Sequence, residues 1–272
     1  MKNSLLITAL FLLSLPTFAQ RKKGADFDMK DFNEKFDVVL WLDEYDKIAW
    51  GTSDSVMTQP QDELRKLGPE WFCFKDDAGL WHAVYGRLDN DHYDLVFHYT
   101  VDDQNKVKRS KEGVGQEFLD PFALALNTAN QNLQELRDSV GIRFNQFIRK
   151  NPDKTFDVWI FPAFQPDGTA VYGGEFHFKL NPSGKTILAK DSYYQGAFRG
   201  FKTQPSREIW LDYQDVKQPT LGSIFFAWYY RQYFTSIKID NETTFTTPFK
   251  DDNRYSWVHV QKDMKKRVKQ KR

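Results

Sequence analysis

A helical stripe of apolar positions marks the first long segment of the chain. Between Asp31 and Met57 these positions recur every three or four residues, which is the spacing of one face of an α-helix. Residues 36–42 are also rich in β-branched and aromatic side chains, which favours a strand over that short segment. One or two further helical turns are expected over Pro60–Leu67, before a Gly-Pro pair. We therefore predict an N-terminal helix.

Two later stretches alternate aromatic-rich runs with short polar turns, a pattern typical of antiparallel hairpins. The first extends from Trp71 to about Val107 and the second from Thr155 to about Asp191. Each stretch is predicted to form an antiparallel β-meander. Their turns are expected at residues 77–79, 89–91, 166–168 and 181–184.

The clearest helical pattern follows Asp120, which suits an N-cap, and Pro121, which suits a first helical position. An Asn-Pro pair after residue 150 would end the helix. Gly141 weakens or bends its interior. We predict a long central helix over 121–150, packed on one face of the sheet. Its apolar stripe would consist of Phe122, Leu126, Ala129, Leu133, Leu136, Val140, Phe144 and Phe147.

The remainder of the chain predicts mainly strands. Ile224–Tyr230 is uniformly apolar, which indicates either a central buried strand or a short core helix. Together with the two meanders and the helices, these elements predict an α+β fold. The further strands are expected near residues 207–213, 235–240, 243–249 and 254–260.

The two meanders share short stretches of sequence. Ala83–Gly86 reappears as Ala170–Gly173, and Phe97–Val101 resembles Phe176–Leu180. A duplicated hairpin would explain these similarities, and so would chance convergence of two aromatic-rich meanders.

The N-terminus has the three-part pattern of an export signal. A basic start is followed by the apolar run Leu5–Leu15, and small residues then precede a cleavage position between Ala19 and Gln20. We predict a signal peptide over residues 1–19 and a mature chain in the periplasm or the extracellular medium. The apolar run is too short to cross a bilayer, so no transmembrane segment is expected in the mature chain.

Charge is unevenly distributed along the chain, although 38 Lys and Arg nearly balance 37 Asp and Glu. Residues 24–261 carry a net charge of −9, whereas the C-terminal tail 262–272 carries +6. The acidic body argues against a nucleic-acid partner. The basic tail could contact an anionic surface, or it could be a solvated terminus. We expect residues 20–261 to form one globular domain, or two packed halves, 24–118 and 119–261.

Several kinds of chemistry are excluded by what the sequence lacks. The only cysteine, Cys73, rules out an intramolecular disulfide and a CxxC redox pair, and it is expected to be a small buried residue. The chain contains no HExxH, GxSxG or phosphate-binding glycine motif. We therefore predict no metal site and no cofactor.

The first candidate site lies on the second meander. Alternation places Phe176 and Phe178 towards the core, with Glu175, His177 and Lys179 on the opposite, solvated face. A carboxylate beside an imidazole could perform acid–base chemistry or hold a ligand. The first meander repeats the arrangement with His98 on its outer face. A polar strand face with ordinary cross-strand pairs is the competing interpretation.

The second candidate site lies on the N-terminal helix, where carboxylates surround Trp50. Asp46, Trp50 and Asp54 lie one turn apart on one face, and Asp43 and Glu44 lie close by. Carboxylates framing an indole could bind a sugar or a cation. An ordinary acidic helix face would have the same spacing.

Taken together, these features favour an exported cell-envelope protein that binds a partner without catalysis, either an envelope protein or a glycan. The alternative is an exported hydrolase that acts on a glycan or a peptide through dispersed carboxylates and His177. Whether the chain is an enzyme is left open by the sequence.

Overall fold

The computed structural model describes residues 27–252 and 254–262 of the chain. The predicted N-terminal helix is present as α1, Met29–Met57, followed by the short α2, Gln61–Leu64. Asp28 is the N-cap of α1, and its carboxylate accepts two backbone N–H groups of the first helical turn. The predicted signal peptide, and the tail beyond residue 262, lie outside the described residues.

The first meander forms a four-stranded antiparallel sheet in chain order. Cys73 is fully buried within its first strand, as expected. The strands are β1, Trp71–Lys75; β2, Trp81–Asp89; β3, His92–Val101; and β4, Val107–Arg109.

The predicted long helix over 121–150 is wrong, because this segment contains the end of one helix, a second helix and a strand. Helix α3 is Gln116–Asn132, α4 is Gln134–Ser139, and Phe144–Lys150 forms strand β5. Asp120 and Pro121 lie inside α3, and the Asp120 carboxylate accepts the backbone N–H of Tyr93 at 2.7 Å. Sequence spacing alone could not exclude this arrangement, since Phe144 and Phe147 suit either a helix or a strand.

The second sheet contains β5, β6, β7 and β8 in that order, all antiparallel. Neighbouring residues of β5, Phe147 and Ile148, are buried in two different hydrophobic clusters, since successive strand residues point to opposite faces. The sheet is therefore covered on both faces. The three new strands are β6, Phe156–Pro162; β7, Thr169–Leu180; and β8, Ile187–Lys202.

Along the chain, a helix lies between the first strand of the third sheet and its other three strands. Helix α5, Leu221–Tyr229, confirms the core-helix alternative for the apolar run, and Thr220 caps its N-terminus. The sheet has the order β12-β11-β10-β9, with β9 and β10 parallel and the other neighbours antiparallel. Its strands are β9, Glu208–Tyr213; β10, Ser236–Asn241; β11, Thr244–Asp251; and β12, Arg254–Gln261.

The duplication suggested by the two meanders is not confirmed. In the first meander the shared stretches lie on two strands, Ala83–Gly86 on β2 and Phe97–Val101 on β3. In the second meander both stretches lie on one strand, β7. The similar residues therefore do not occupy equivalent places in a repeated hairpin.

The elements form a mixed α+β, mostly β arrangement with two hydrophobic clusters. Strands β1 and β5 lie side by side, so that the first two sheets make a common layer. Helix α3 covers one face of this layer, and α1, α5 and the third sheet cover the other. Within residues 27–252 and 254–262, no helix is long and apolar enough to span a membrane.

Candidate functional site

A cavity of about 580 Å³ opens between α1, the C-terminal end of α5 and the segment that follows β6. Helix α1 contributes Asp43, Asp46, Lys47 and Trp50 to its wall. The opposite wall consists of Phe164, Tyr229, Tyr230, Arg231, Gln232 and Tyr233. We call this cavity the α1–α5 cleft. The structure thus places three residues of the second candidate site, Asp43, Asp46 and Trp50, in one concave surface.

Asp46 is the most unusual group in the α1–α5 cleft. Asp46 is only 6% exposed, and its Oδ2 accepts the hydroxyl of Tyr229 at 2.7 Å. The amide of Asn145 reaches its Oδ1 at the long distance of 3.4 Å. Burial, reinforced by the nearby charge of Asp43, raises the pKa of Asp46 to about 6, although the Tyr229 hydrogen bond opposes this change.

Trp50 supplies an exposed aromatic surface beside this buried carboxylate. Trp50 is 59% exposed, whereas most tryptophans of this chain are at least half covered. Across the cleft, the rings of Phe164 and Tyr233 stack with centroids 5.9 Å apart. The cleft therefore combines aromatic faces with hydrogen-bonding groups.

The other acidic residues of α1 have different surroundings. Asp43 lines the cleft. It is buried and accepts a hydrogen bond from the ammonium of Lys47 at 2.8 Å. Glu44 instead accepts the ammonium of Lys75 and the indole N–H of Trp81. Asp54 is exposed and does not line the cleft. The helical spacing that grouped Asp54 with Asp46 and Trp50 therefore overestimated the extent of the site.

The expected solvated position of Glu175 is wrong. Glu175 is only 9% exposed, because α5 and the third sheet cover this face of β7. Its carboxylate accepts the hydroxyls of Tyr213 and Thr220 and the backbone N–H of Gly222 at the start of α5. Burial raises the pKa of Glu175, while these three donors act in the opposite direction.

His177 lies on the same face of β7 and is also more covered than predicted. Its side chain is 30% exposed and stacks on the indole of Trp159, with centroids 5.2 Å apart. Its Nε2 lies 2.9 Å from a carboxylate oxygen of Asp157. Although burial alone would raise the pKa of Asp157, hydrogen bonds from His177 and Asn151 lower it overall. His177 and Glu175 line a common cavity of about 400 Å³.

His98 does not join these residues, and its predicted outward position is wrong. The residue is 6% exposed, its Nδ1 lies 2.9 Å from the backbone oxygen of Glu112, and its Nε2 lies 2.8 Å from Nδ1 of His82. Burial lowers the pKa of His98. His82 continues this chain of contacts to Asp76 at 3.2 Å. The residue therefore belongs to a hydrogen-bonded chain within the first sheet.

Sequence reasoning missed the α5 half of the cleft. Tyr229 lies 183 residues from Asp46 in sequence, and no motif spacing connects the two. The only signal was compositional, since 228–233 is rich in aromatic residues and includes Arg231. That signal was interpreted only as part of a core segment.

Within the part of the chain that the structure describes, no group of three or more His, Cys, Asp or Glu side chains is arranged to hold a metal ion. Comparison of the chain with protein-family models, with curated proteins and with solved structures finds no match.

Proposed function

We propose that this protein is an exported, non-catalytic binding protein of the cell envelope that holds a saccharide in the α1–α5 cleft. The observation that carries the proposal is the exposed indole of Trp50 beside the buried carboxylate of Asp46. A sugar ring has an apolar C–H face and a rim of hydroxyls. It would place its face on an aromatic ring and its hydroxyls on the carboxylates.

The charges in the cleft favour a sugar over a cation. Asp43 and Asp46 could attract a cation, but Lys47 and Arg231 also line the cleft. These two positive charges oppose cation binding, whereas both can donate hydrogen bonds to sugar hydroxyls. The cleft is lined by five aromatic and five polar or charged residues, so it offers both ring faces and hydrogen-bonding groups to a small molecule.

The location in the envelope depends on the sequence. The N-terminal pattern supports export, and the absence of recognisable catalytic motifs supports binding rather than turnover. A glycan of the envelope would be accessible to such a protein in the periplasm or outside the cell.

Titration calorimetry of the purified chain against a panel of neutral oligosaccharides tests the proposal. Trp50→Ala should weaken binding of the best saccharide by about tenfold or more, since a central aromatic contact contributes roughly 2 kcal/mol. Trp210→Ala is the matched control, because Trp210 is 44% exposed on the third sheet and lies outside the cleft. A panel without any binder, or equal losses in the two variants, would contradict the proposal.

A second candidate function is glycoside hydrolysis in the same cleft. Asp46, with its pKa near 6, has the property of a general acid, and Asp43 provides a second carboxylate. Release of reducing ends from polysaccharides would reveal such activity. Asp46→Asn should then abolish turnover while saccharide binding remains measurable. Binding without any release of reducing ends would contradict hydrolysis and leave the binding function in place.

A further inference from the structure

A second cleft lies on the other side of α1, where the edge strands of the first two sheets meet. It encloses about 480 Å³ between the end of β1, the N-terminal half of α3, the end of β5 and the loop after β5. Trp41 of α1 forms one of its sides. None of its lining residues belongs to the α1–α5 cleft. We call it the basic cleft.

The basic cleft concentrates positive charge on an otherwise acidic body. Lys75, Arg149, Lys150 and Lys154 line it, and Asp77 is the only carboxylate among its lining residues. Residues 24–261 as a whole carry a net charge of −9, so this group of cations runs against the average of the protein. A local positive potential of this kind attracts an anion.

Two of these cations lack an acidic partner within the fold. Lys75 pairs with Glu44 at 2.9 Å, and Arg149 lies 3.5 Å from Asp157. By contrast, among residues 27–252 and 254–262 no carboxylate oxygen lies within 4.0 Å of the ammonium of Lys150 or Lys154. Both lysines are exposed and can turn towards a ligand.

Aromatic rings lie close to two of these cations. The guanidinium of Arg149 lies 5.6 Å from the ring centre of Trp41 and 5.1 Å from that of Trp159. Both distances are within the cation–π range, so the two indoles, whose own ring centres lie 6.0 Å apart, favour this position of the guanidinium. Lys150 similarly lies 5.1 Å from the ring centre of Phe118. Guanidinium and ammonium groups both donate charge-assisted hydrogen bonds to a carboxylate or a sulfate ester.

We propose that the basic cleft binds the anionic group of an acidic saccharide, a uronate carboxylate or a sulfate ester, through Lys150 and Lys154, the two lysines without an acidic partner. The half-buried rings of Trp41, Phe74 and Phe118 provide apolar surface for the sugar that carries the charge. This site is independent of the α1–α5 cleft.

Titration calorimetry of the whole chain with a short oligogalacturonate tests this proposal. The matched ligand is the same oligomer with methyl-esterified carboxylates, which keeps the sugar and removes the charge. We expect binding of the acid form, weakened by salt because exposed charges are screened. Equal affinity for the ester, or equal affinity for inorganic sulfate alone, would overturn the proposal, since either would remove the need for charge or for sugar.

Protein variants then localise the interaction. The double variant Lys150→Met with Lys154→Met should weaken the oligogalacturonate affinity by about tenfold or more, since hydrogen bonds to charged groups are lost. Lys111→Met is the control, because Lys111 is exposed and does not line the cleft. Trp50→Ala should leave this affinity within about twofold, which separates the two proposed sites. An unchanged affinity in the double variant would overturn the assignment.

Discussion

The two ends of helix α5 each meet a buried carboxylate, and the two carboxylates have opposite surroundings. At the N-terminal end, Glu175 accepts three donors, from Tyr213, Thr220 and Gly222. At the C-terminal end, Asp46 accepts the hydroxyl of Tyr229 at 2.7 Å and the amide of Asn145 at the long distance of 3.4 Å, and it faces an open cleft. The hydrogen bonds of Glu175 therefore stabilise the fold, whereas the carboxylate of Asp46 can still accept hydrogen bonds from a ligand.

This contrast shows why burial of an acidic group does not by itself identify a functional site. A helix N-terminus presents free N–H groups and a positive dipole, so a carboxylate such as Glu175 is stabilised there. Burial raises the pKa of both carboxylates, and for Asp46 it reaches about 6 against the opposing hydrogen bonds from Tyr229 and Trp50. Residues that bind or react are often less than optimal for stability. Three experiments test whether the two carboxylates differ in this way.

The largest effect is expected from Glu175→Ala, which leaves three buried donors without their acceptor. We expect a loss of about 3–5 kcal/mol in the free energy of unfolding, since each unsatisfied buried group costs about 1–3 kcal/mol. Urea denaturation measures this change. Glu175→Gln is the control and should lose less, because its amide oxygen still accepts a hydrogen bond. A loss below about 1 kcal/mol in Glu175→Ala would show that the carboxylate does not anchor α5.

At alkaline pH, Asp46→Asn should instead increase the free energy of unfolding. The pKa of Asp46 is raised from 3.8 to about 6 in the folded protein, so the folded state binds this proton more tightly than the unfolded state. The resulting stability is present below pH 3.8 and is lost as the pH rises through 6. At pH 8 the variant should gain on the order of 2–3 kcal/mol over the native chain.

Urea denaturation of both proteins between pH 4 and pH 8 measures this dependence on Asp46. The advantage of Asp46→Asn should shrink as the pH falls, because the native carboxyl becomes protonated and uncharged. A variant that is less stable than the native chain at pH 8 would break the comparison, since Asp46 would then be as well satisfied as Glu175.

The smallest of the three effects is expected from His177→Ala, beside Glu175 on β7. The variant loses a hydrogen bond to Asp157 and the stacking contact with Trp159, which together predict a loss of about 1–2 kcal/mol on unfolding. His92→Ala is the control, since that side chain is 60% exposed. A loss within about 0.5 kcal/mol would instead support the solvated position that the sequence predicted.

Local patterns were sufficient for much of the fold. The apolar stripe predicted α1, and the alternation of aromatic runs with polar turns predicted β1, β2 and β3 of the first sheet but not β4. The same helical periodicity placed Asp46 beside Trp50, because residues four apart share a helix face. These predictions succeeded where neighbours in sequence determine the conformation.

Only the tertiary structure decided the rest. Phe144 and Phe147 became part of a strand because β6 pairs with them, and Glu175 was buried because α5 covers that face of β7. Alternation in a strand shows that successive side chains point to opposite faces, but it cannot show which faces another layer covers. For the same reason the sequence supplied one wall of the α1–α5 cleft, with Asp46 and Trp50. Packing alone brought Tyr229 and Arg231 to the other wall, because contacts between residues far apart in sequence leave no local pattern.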